Sequence, residues 1–385
     1  MFVSDAVRYV GVADKELDIF ESQYPLPNGM LYNSYVIEDE KIAVLDTVDK
    51  RAVDEWLSNV EKVLGDKKPD YLVIHHLEPD HSAGILGFVK KYPGVRLIGN
   101  AQTVRLLPQF FDEDLTSLFE IVDEGTSISL GEHSLTFIKA PMVHWPEVMV
   151  SFEAREGILF AADAFGKFGV EEDTDEWAYE ARRYYFNIVG KYGMQVQALL
   201  KKVSALDIKT ICPLHGPVIK ENLEYYLGIY DVWSRYEPED KGVFIACASI
   251  HGNTMKAAEF LAEELKSAGV EKVVLTDICR SDVAEAVEDA FRYDRMVLMS
   301  SSYDAGLFPP METFLHHLKA KAYCRRKVAV IQNGTWAPSA AKCMRAIIEP
   351  LKDIEYVGED ITIKTTMSAE NKEQLKTLAG LLSQA

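Results

Sequence analysis

The sequence is short of the features that staple or anchor a chain. Its 385 residues hold five cysteines, Cys212, Cys247, Cys279, Cys324 and Cys343, scattered and never spaced C-x-x-C. That argues against a disulfide framework, a zinc ribbon or a fused rubredoxin-type iron site, and a reducing cytoplasm is the expected compartment. No apolar run approaches the roughly 18 residues that cross a bilayer, so no membrane role is expected. The opening, MFVSDAVRYVGVADKELDIF, lacks a basic stretch followed by an apolar one, and no secretory leader is expected. Internal repeats and low-complexity tracts are missing. Positive charge is scarce as well, with 41 Lys+Arg against 60 Asp+Glu and a net charge of −19, so nucleic acid is not an expected partner.

The acidity is unevenly placed. Residues 1–240 carry 23 Lys+Arg against 41 Asp+Glu, whereas residues 241–385 carry 18 against 19. In the nearly neutral part, Arg325, Arg326 and Lys327 form a basic cluster that could receive an acidic protein partner, a solvated loop being the plainer alternative. The length is too great for one core and implies at least two domains. The stretch YDVWSRYEPEDKG, 230–242, places a proline among charges after a helical pattern and before an abrupt strand, and reads as the boundary. Before it, runs such as YVIEDEKIAVLDT, DYLVIHH, HSLTFIKA and GILFAAD alternate with turns and a few helices. They predict two sheets with helices outside. After it, five strand-helix units begin at VFIACAS, VEKVVLTDI, RMVLMSSS, KVAVIQN and IEYVGEDITIK, the pattern of a doubly wound parallel sheet.

Chemistry concentrates where strands end. The run YLVIHHLEPDHSAG passes from an apolar strand into His76, Glu78, Asp80 and His81, an H-x-E-x-D-H pattern. His144 in PMVHWPEVM, Asp163 in GILFAADAFG and His215 in ICPLHGPV each follow another strand-like run. Four imidazoles and three carboxylates suit two metals sharing one carboxylate. Added carboxylates shift preference toward ions that accept oxygen donors, and no thiolate is offered, since Cys212 is expected to point elsewhere. Iron fits best, with zinc and manganese as alternatives. His75 faces the opposite side of its strand and is assigned to packing or support. His133, His316 and His317 read as surface or core residues.

A second constellation lies in the C-terminal part. The first strand-helix turn, CASIHGNTMKAA, supplies Ser249, His251, Gly252, Asn253 and Thr254 at a helix start, a ready anion site. It is neither G-x-G-x-x-G nor G-K-S/T, so a monophosphate is the natural guest. The third strand ends in SSSYDAG, with Ser301, Ser302, Tyr303, Asp304 and Gly306. The fourth ends in QNGTWAPSA, with Asn333, Gly334, Thr335 and Trp336. Phosphate donors, polar edges and two aromatic faces together are what flavin mononucleotide needs, although any single loop would pass for helix caps and core packing.

On these residues the chain resembles the flavodiiron proteins, also called A-type flavoproteins, over essentially its whole length. The hydrolase pattern H-x-H-x-D-H stands here as His76-Leu-Glu78-Pro-Asp80-His81, with Glu in place of the second His. His144 is followed by Trp-Pro-Glu, Asp163 by Ala-Phe-Gly and His215 by Gly-Pro. Two places differ: the flavin loops depart from the family's commoner Pro-Thr and Gly-Trp-Ser-Gly versions, and Lys-Phe follows the DAFG stretch where many members have Gln-His. The resemblance implies an α/β multidomain fold, with a metallo-β-lactamase-like αββα sandwich over 1–240. A flavodoxin-like doubly wound five-stranded parallel sheet would cover 241–385. It also implies one iron on His76, Glu78 and His144, another on Asp80, His81 and His215, and Asp163 bridging. FMN would lie with its phosphate on 249–254 and its ring on the 301–306 and 333–336 loops. The implied activity is reduction of O2 to water, of NO to N2O, or both, in a head-to-tail homodimer or dimer of dimers. Electrons would come from an external donor such as rubredoxin or a flavin reductase. The competing reading is a zinc-dependent hydrolase of the metallo-β-lactamase type fused to a flavodoxin domain. Tyr24, Tyr32 and Trp145 are the candidates for tuning the choice of gas.

Overall fold

Short strands whose alternate residues turn inward build two sheets in the first of two units, Met1–Asp231, of a computed structural model that describes all 385 residues. The first sheet orders Val7–Tyr9, Tyr35–Ile37, Ala43–Leu45, Tyr71–Val73, Arg96–Gly99 and Phe119–Ile121 side by side, parallel from Ala43–Leu45 onward. The second orders Ser127–Ser129, Ser134–Lys139, Met149–Glu153, Ile158–Phe160 and Thr210–Cys212, with only its last pair parallel. Tyr35, Leu45, Val73 and Ile98 from one sheet meet Leu135, Phe137, Met149 and Phe160 from the other in a shared core. Burial of these faces, at about 25 cal/mol per Å² of apolar surface, is the main term holding the layers together.

Helices cover the outer faces, completing an αββα sandwich. Val53–Leu64 buries Trp56, Val60 and Leu64, four residues apart, and leaves Asp54, Glu55, Glu61 and Lys62 exposed or half-buried. The Trp56 indole donates to Ser34 Oγ at 2.9 Å, satisfying its one polar atom. On the second sheet's side, Gly193–Val203 buries Val196, Leu199 and Val203, and Lys202 donates to the Lys139 carbonyl.

The second unit, Val232–Ala385, is a doubly wound parallel sheet. Its strands are Asp240–Ala248, Val273–Asp277, Tyr293–Tyr303, Arg326–Asn333 and a fifth, in spatial order 2-1-3-4-5, the flavodoxin arrangement. Asp240–Ala248 is apolar without alternation because both its faces are covered. Val243, Ile245 and Cys247 pack under helices Asn253–Ser267 and Ala369–Gln384, while Phe244 meets Phe314 of helix Pro309–Ala320 on the other side. The fifth strand, read from the sequence as one run, is two: Ile354–Tyr356 pairs with the start of Arg326–Asn333 and Ile361–Ile363 with its end. Gly358, at φ +71°, lies in the break and lets the chain leave the sheet and return. No helix is long and apolar enough to cross a membrane.

One expectation fails outright. Arg326 is not part of a basic surface cluster: it is 1% exposed. Its guanidinium donates to the carbonyls of Tyr293 at 2.9 Å, Tyr236 at 2.7 Å and Cys324 at 3.2 Å, and also to that of Phe291. Sequence position alone cannot separate a strand-end arginine that satisfies carbonyls from one that faces water. Because each buried carbonyl left unpaired costs about 1–3 kcal/mol, Arg326→Met should destabilise the full chain by roughly 3 kcal/mol or more. The change at Lys327→Met should stay within about 0.5 kcal/mol. The urea midpoints of the two variants against the wild type measure the contrast.

Candidate functional site

All seven donors read from the sequence meet at one edge of the sandwich, carried there by strand ends of both sheets. Strand Tyr71–Val73 runs into His76 and Glu78, and a short helix, Pro79–Ser82, presents Asp80 and His81. His144 follows strand Ser134–Lys139, Asp163 follows Ile158–Phe160 and His215 follows Thr210–Cys212. Ala162 and Phe165, both at positive φ, bend the backbone on either side of Asp163.

The donors form two sets. In the first, Glu78 Oε2 lies 3.2 Å from His76 Nε2 and 3.0 Å from His144 Nε2, and Asp163 Oδ2 lies 3.3 Å from both nitrogens. In the second, His81 Nε2 and His215 Nε2 are 3.0 Å apart, and Asp80 Oδ2 is 3.3 Å from one and 3.2 Å from the other. Asp163 Oδ1 faces this second set, 3.3 Å from His81 Nε2. The two oxygens of one carboxylate thus divide between two neighbouring sets, the arrangement a bridging ligand needs.

Buried polar atoms test the fit to metal. Both carboxylate oxygens of Asp80 and of Asp163 are buried without a hydrogen-bond partner. Native interiors rarely leave such atoms unsatisfied. Two imidazole nitrogens pointing at each other across 3.0 Å also want something between them. A pair of cations answers both needs, and the mixture of imidazole and carboxylate suits iron, zinc or manganese.

The outward nitrogens are fixed as metal-binding histidines require. His76 Nδ1 is 2.8 Å from Glu147 Oε1, which also takes the Leu77 amide at 2.9 Å, and His215 Nδ1 donates to the Leu31 carbonyl at 2.7 Å. Burial pushes the His144 imidazole down, but the neighbouring Asp163 and Glu78 carboxylates outweigh it and hold the group up at about 9. Burial likewise opposes the charge on Asp163, yet His76, His144 and His81 keep it well below the usual carboxylate range.

The remaining candidates from the sequence separate cleanly. His75 stays outside the donor sets, clamped between Asp46 at 2.5 Å and Ser151 at 2.8 Å. His133 pairs with Asp39 at 2.8 Å, away from the donors. Trp145 stands edge-on to His76 with ring centres 5.2 Å apart, and the Tyr32 ring lies 5.9 Å from that of His215. Tyr24 instead donates to the Asn187 carbonyl at 3.1 Å.

Sequence reasoning missed Glu147, Leu31, Tyr184 and Glu21. Glu147 had a signal, standing three residues after His144 in HWPE. Tyr184 is fully buried, its ring 5.5 Å from His215 and its hydroxyl without a partner; burial and the charge of Asp163 push its ionisation far up, so it stays protonated. Glu21 neighbours Glu78, and burial and the Glu78 charge push its carboxyl up to about 7.

In the second unit, loops at the carboxyl ends of the parallel strands enclose a cleft of about 460 Å³. Ser249, His251, Asn253, Thr254, Ser301, Ser302, Tyr303 and Asp304 line it, with Asn333, Gly334, Thr335 and Trp336 opposite. Gly252 and Gly306 are not in its walls. Gly252, at φ +85°, starts helix Asn253–Ser267, and Gly306 closes a turn against Tyr303. Thr254 and Ser301 hydroxyls lie 3.0 Å apart beside that helix start. Trp336 is 91% exposed rather than packed on the core. A helix start, hydroxyls and an uncovered indole in one cleft suit a phosphorylated aromatic cofactor such as FMN. Thr365, which bonds Asn333 in both directions at 3.0 Å, is a wall residue the sequence did not flag.

Fold and geometry together define the class: a metallo-β-lactamase-type sandwich with a two-set donor centre, joined in one chain to a flavodoxin-type unit. A family model described as ODP family beta lactamase matches residues 30–216. Nitric oxide reductase of Moorella thermoacetica is 30% identical over 372 residues, covering 93% of this chain and 91% of its own. Among solved structures, rubredoxin oxygen:oxidoreductase from Desulfovibrio gigas has a TM-score of 0.92 at 24% identity, covering 100% of this chain and 98% of that one. The flavodiiron protein from Giardia intestinalis has a TM-score of 0.88 at 23% identity, covering 100% and 97%. The chain belongs to the flavodiiron proteins.

Two outcomes follow from the geometry. Removing the Glu147 carboxylate by Glu147→Ala should weaken metal binding about 10–100-fold in chelator competition, and Glu147→Gln, which keeps an acceptor for His76, should recover most of it. Metal must also displace protons from the raised histidines. Apparent affinity should therefore climb with pH up to about 9, the His144 value, and fall below it, with proton release on binding read directly by an indicator dye. Affinity that is flat with pH would contradict this.

Proposed function

We propose that this protein is an oxidoreductase that reduces O2 to water, NO to N2O, or both, at a non-haem di-iron centre, with electrons relayed through FMN. The division of Asp163 between two donor sets carries the reading. One iron would sit on His76, Glu78 and His144, the other on Asp80, His81 and His215, with Asp163 between them. Residues 1–240 would form the di-iron domain and residues 241–385 the FMN domain. Glu78 stands where the zinc hydrolases place a histidine, and it weighs against the hydrolase alternative. The names of the relatives, a nitric oxide reductase and a rubredoxin oxygen:oxidoreductase, support the two candidate gases and a rubredoxin as electron donor.

The bound metals supply reducing electrons and open positions for a diatomic gas. The protein's part is to hold and prepare that space. Glu147 and the Leu31 carbonyl keep Nε2 of His76 and of His215 facing inward. Phe20 and Tyr32 stand edge-on to His215, limiting water on that side. Tyr184, held protonated beside His215, keeps a hydroxyl free to donate a hydrogen bond. In the second unit, the FMN phosphate would take the Ser249–Thr254 turn and the ring the 301–306 and 333–336 loops. A head-to-tail homodimer, or a dimer of such dimers, would bring one subunit's flavin to its partner's irons. A cytoplasmic location fits the cysteine usage.

Full-length protein loaded with iron and FMN, reduced without air, should consume at least one of the two gases at matched concentrations. Asp163→Asn should abolish this and lower the iron content, while FMN reduction continues. Protein that ignores both gases but hydrolyses a lactam or thioester when loaded with zinc would restore the hydrolase.

A further inference from the structure

The cleft in the second unit is almost free of charge. No lysine or arginine lines it, and its only ionisable wall residues besides Tyr303 are His251 and Asp304. His251 belongs to the turn that starts helix Asn253–Ser267, where an anion is favoured. Asp304 lies on a different loop, three residues beyond Ser301. There Tyr303 pairs with Gly306 and Ser302 with Leu307, and the two residues at the tip, Asp304 at φ +46° and Ala305 at φ +56°, are both left-handed. Such a tip is a tight hairpin turn of the kind that favours Asn, Asp or Gly. Strand pairing therefore holds the Asp304 backbone in place, and no lysine or arginine of the wall neutralises its carboxylate.

On the functional reading proposed for this cleft, in which it holds FMN, we propose that Asp304 sets the reduction potential of the flavin. Oxidised FMN takes up two electrons from the external donor and one proton from solvent, so its ring gains one net negative charge. A carboxylate in the same cleft, uncompensated by a cation, raises the energy of that added charge. A ring filling the cleft also displaces water that would screen the interaction. Asp304 thus makes the reduced flavin a stronger electron donor and weakens its binding relative to the oxidised form. The effect acts through the field of the carboxylate, so it needs no hydrogen bond to the ring.

The test is an anaerobic spectroelectrochemical titration of the full-length, FMN-loaded protein. Asp304→Asn removes the charge and keeps a residue at ease in the left-handed turn. It should raise the ratio of reduced to oxidised FMN affinity about tenfold, a shift of about 30 mV in the two-electron midpoint toward easier reduction. Asp304→Glu should stay at the wild-type value. The gap between wild type and Asp304→Asn should shrink in 1 M salt, where the Debye length is about 3 Å. Asp304→Gly, equally neutral and suited to positive φ, repeats the test if the Asn variant loses FMN. A neutral variant that holds FMN with an unmoved potential overturns the proposal. Wild-type protein that fails to take up FMN at all instead overturns the reading of the cleft, a separate result visible in the absorption spectrum.

Discussion

The first unit is organised around a cost: three carboxylates and four imidazoles are taken out of water within one small volume. Asp80 and Asp163 are buried with their oxygens unpaired, and the imidazole nitrogens of His81 and His215 face each other at 3.0 Å. Burying charge without compensation costs several kcal/mol per group, so such a cluster persists only if something else neutralises it. Protonated histidines do so in part, which is why burial fails to keep His144 from being held at about 9. Cations do it better, because they also fill the space the nitrogens point into. The sandwich supplies the rigidity. Both sheets bring strand ends to one edge, so each donor starts from a position fixed by a ladder of backbone bonds.

The second unit solves a different problem with similar means. Its parallel strands end together, and the loops beyond them enclose a cleft that contains hydroxyls, amides and aromatic faces but almost no charge. Ser302 Oγ accepts from the amides of Ser339 and Ala340 at 2.9 and 3.1 Å, tying the third-strand loop to the start of helix Ala340–Ile348. Thr335 and Thr365 meet at 2.7 Å on the far wall. These bonds tie the walls of the cleft to one another. In so neutral an enclosure a single carboxylate carries more weight than it would on an ordinary acidic surface.

Much of this is legible in the sequence because strand ends leave a local signature. Each of the seven donors follows an apolar run within a few residues, and the run and the ligand are read together. The alternation of five strands with five helices is equally plain, since each helix begins close to a capping or proline residue, such as Asp282, Pro309 or Ser368. What escapes depends on distance along the chain. Glu147 supports His76 across 71 residues, and the Leu31 carbonyl supports His215 across 184. A backbone carbonyl has no side-chain identity to notice. Arg326 defeats a local reading for the same reason, its five partner carbonyls being set by the packing of the helix and loop ends around it.

The residues that escape share a property that bears on function. The donor sets can be written down from motifs, but motifs do not separate one gas from another, because every first contact to the metals would be the same. The groups able to discriminate are those around the donors: the Tyr184 hydroxyl, the Glu21 carboxyl beside Glu78, and the Phe20 and Tyr32 rings against His215. Tyr24, a candidate from the sequence, is turned away toward Asn187 and is a weaker one than Tyr184. Delivering four electrons and four protons to dioxygen demands proton supply, whereas coupling two nitric oxide molecules demands two protons and room for both. Both reactions draw on the residues around His215, where the Phe20 and Tyr32 rings and the protonated Tyr184 hydroxyl stand.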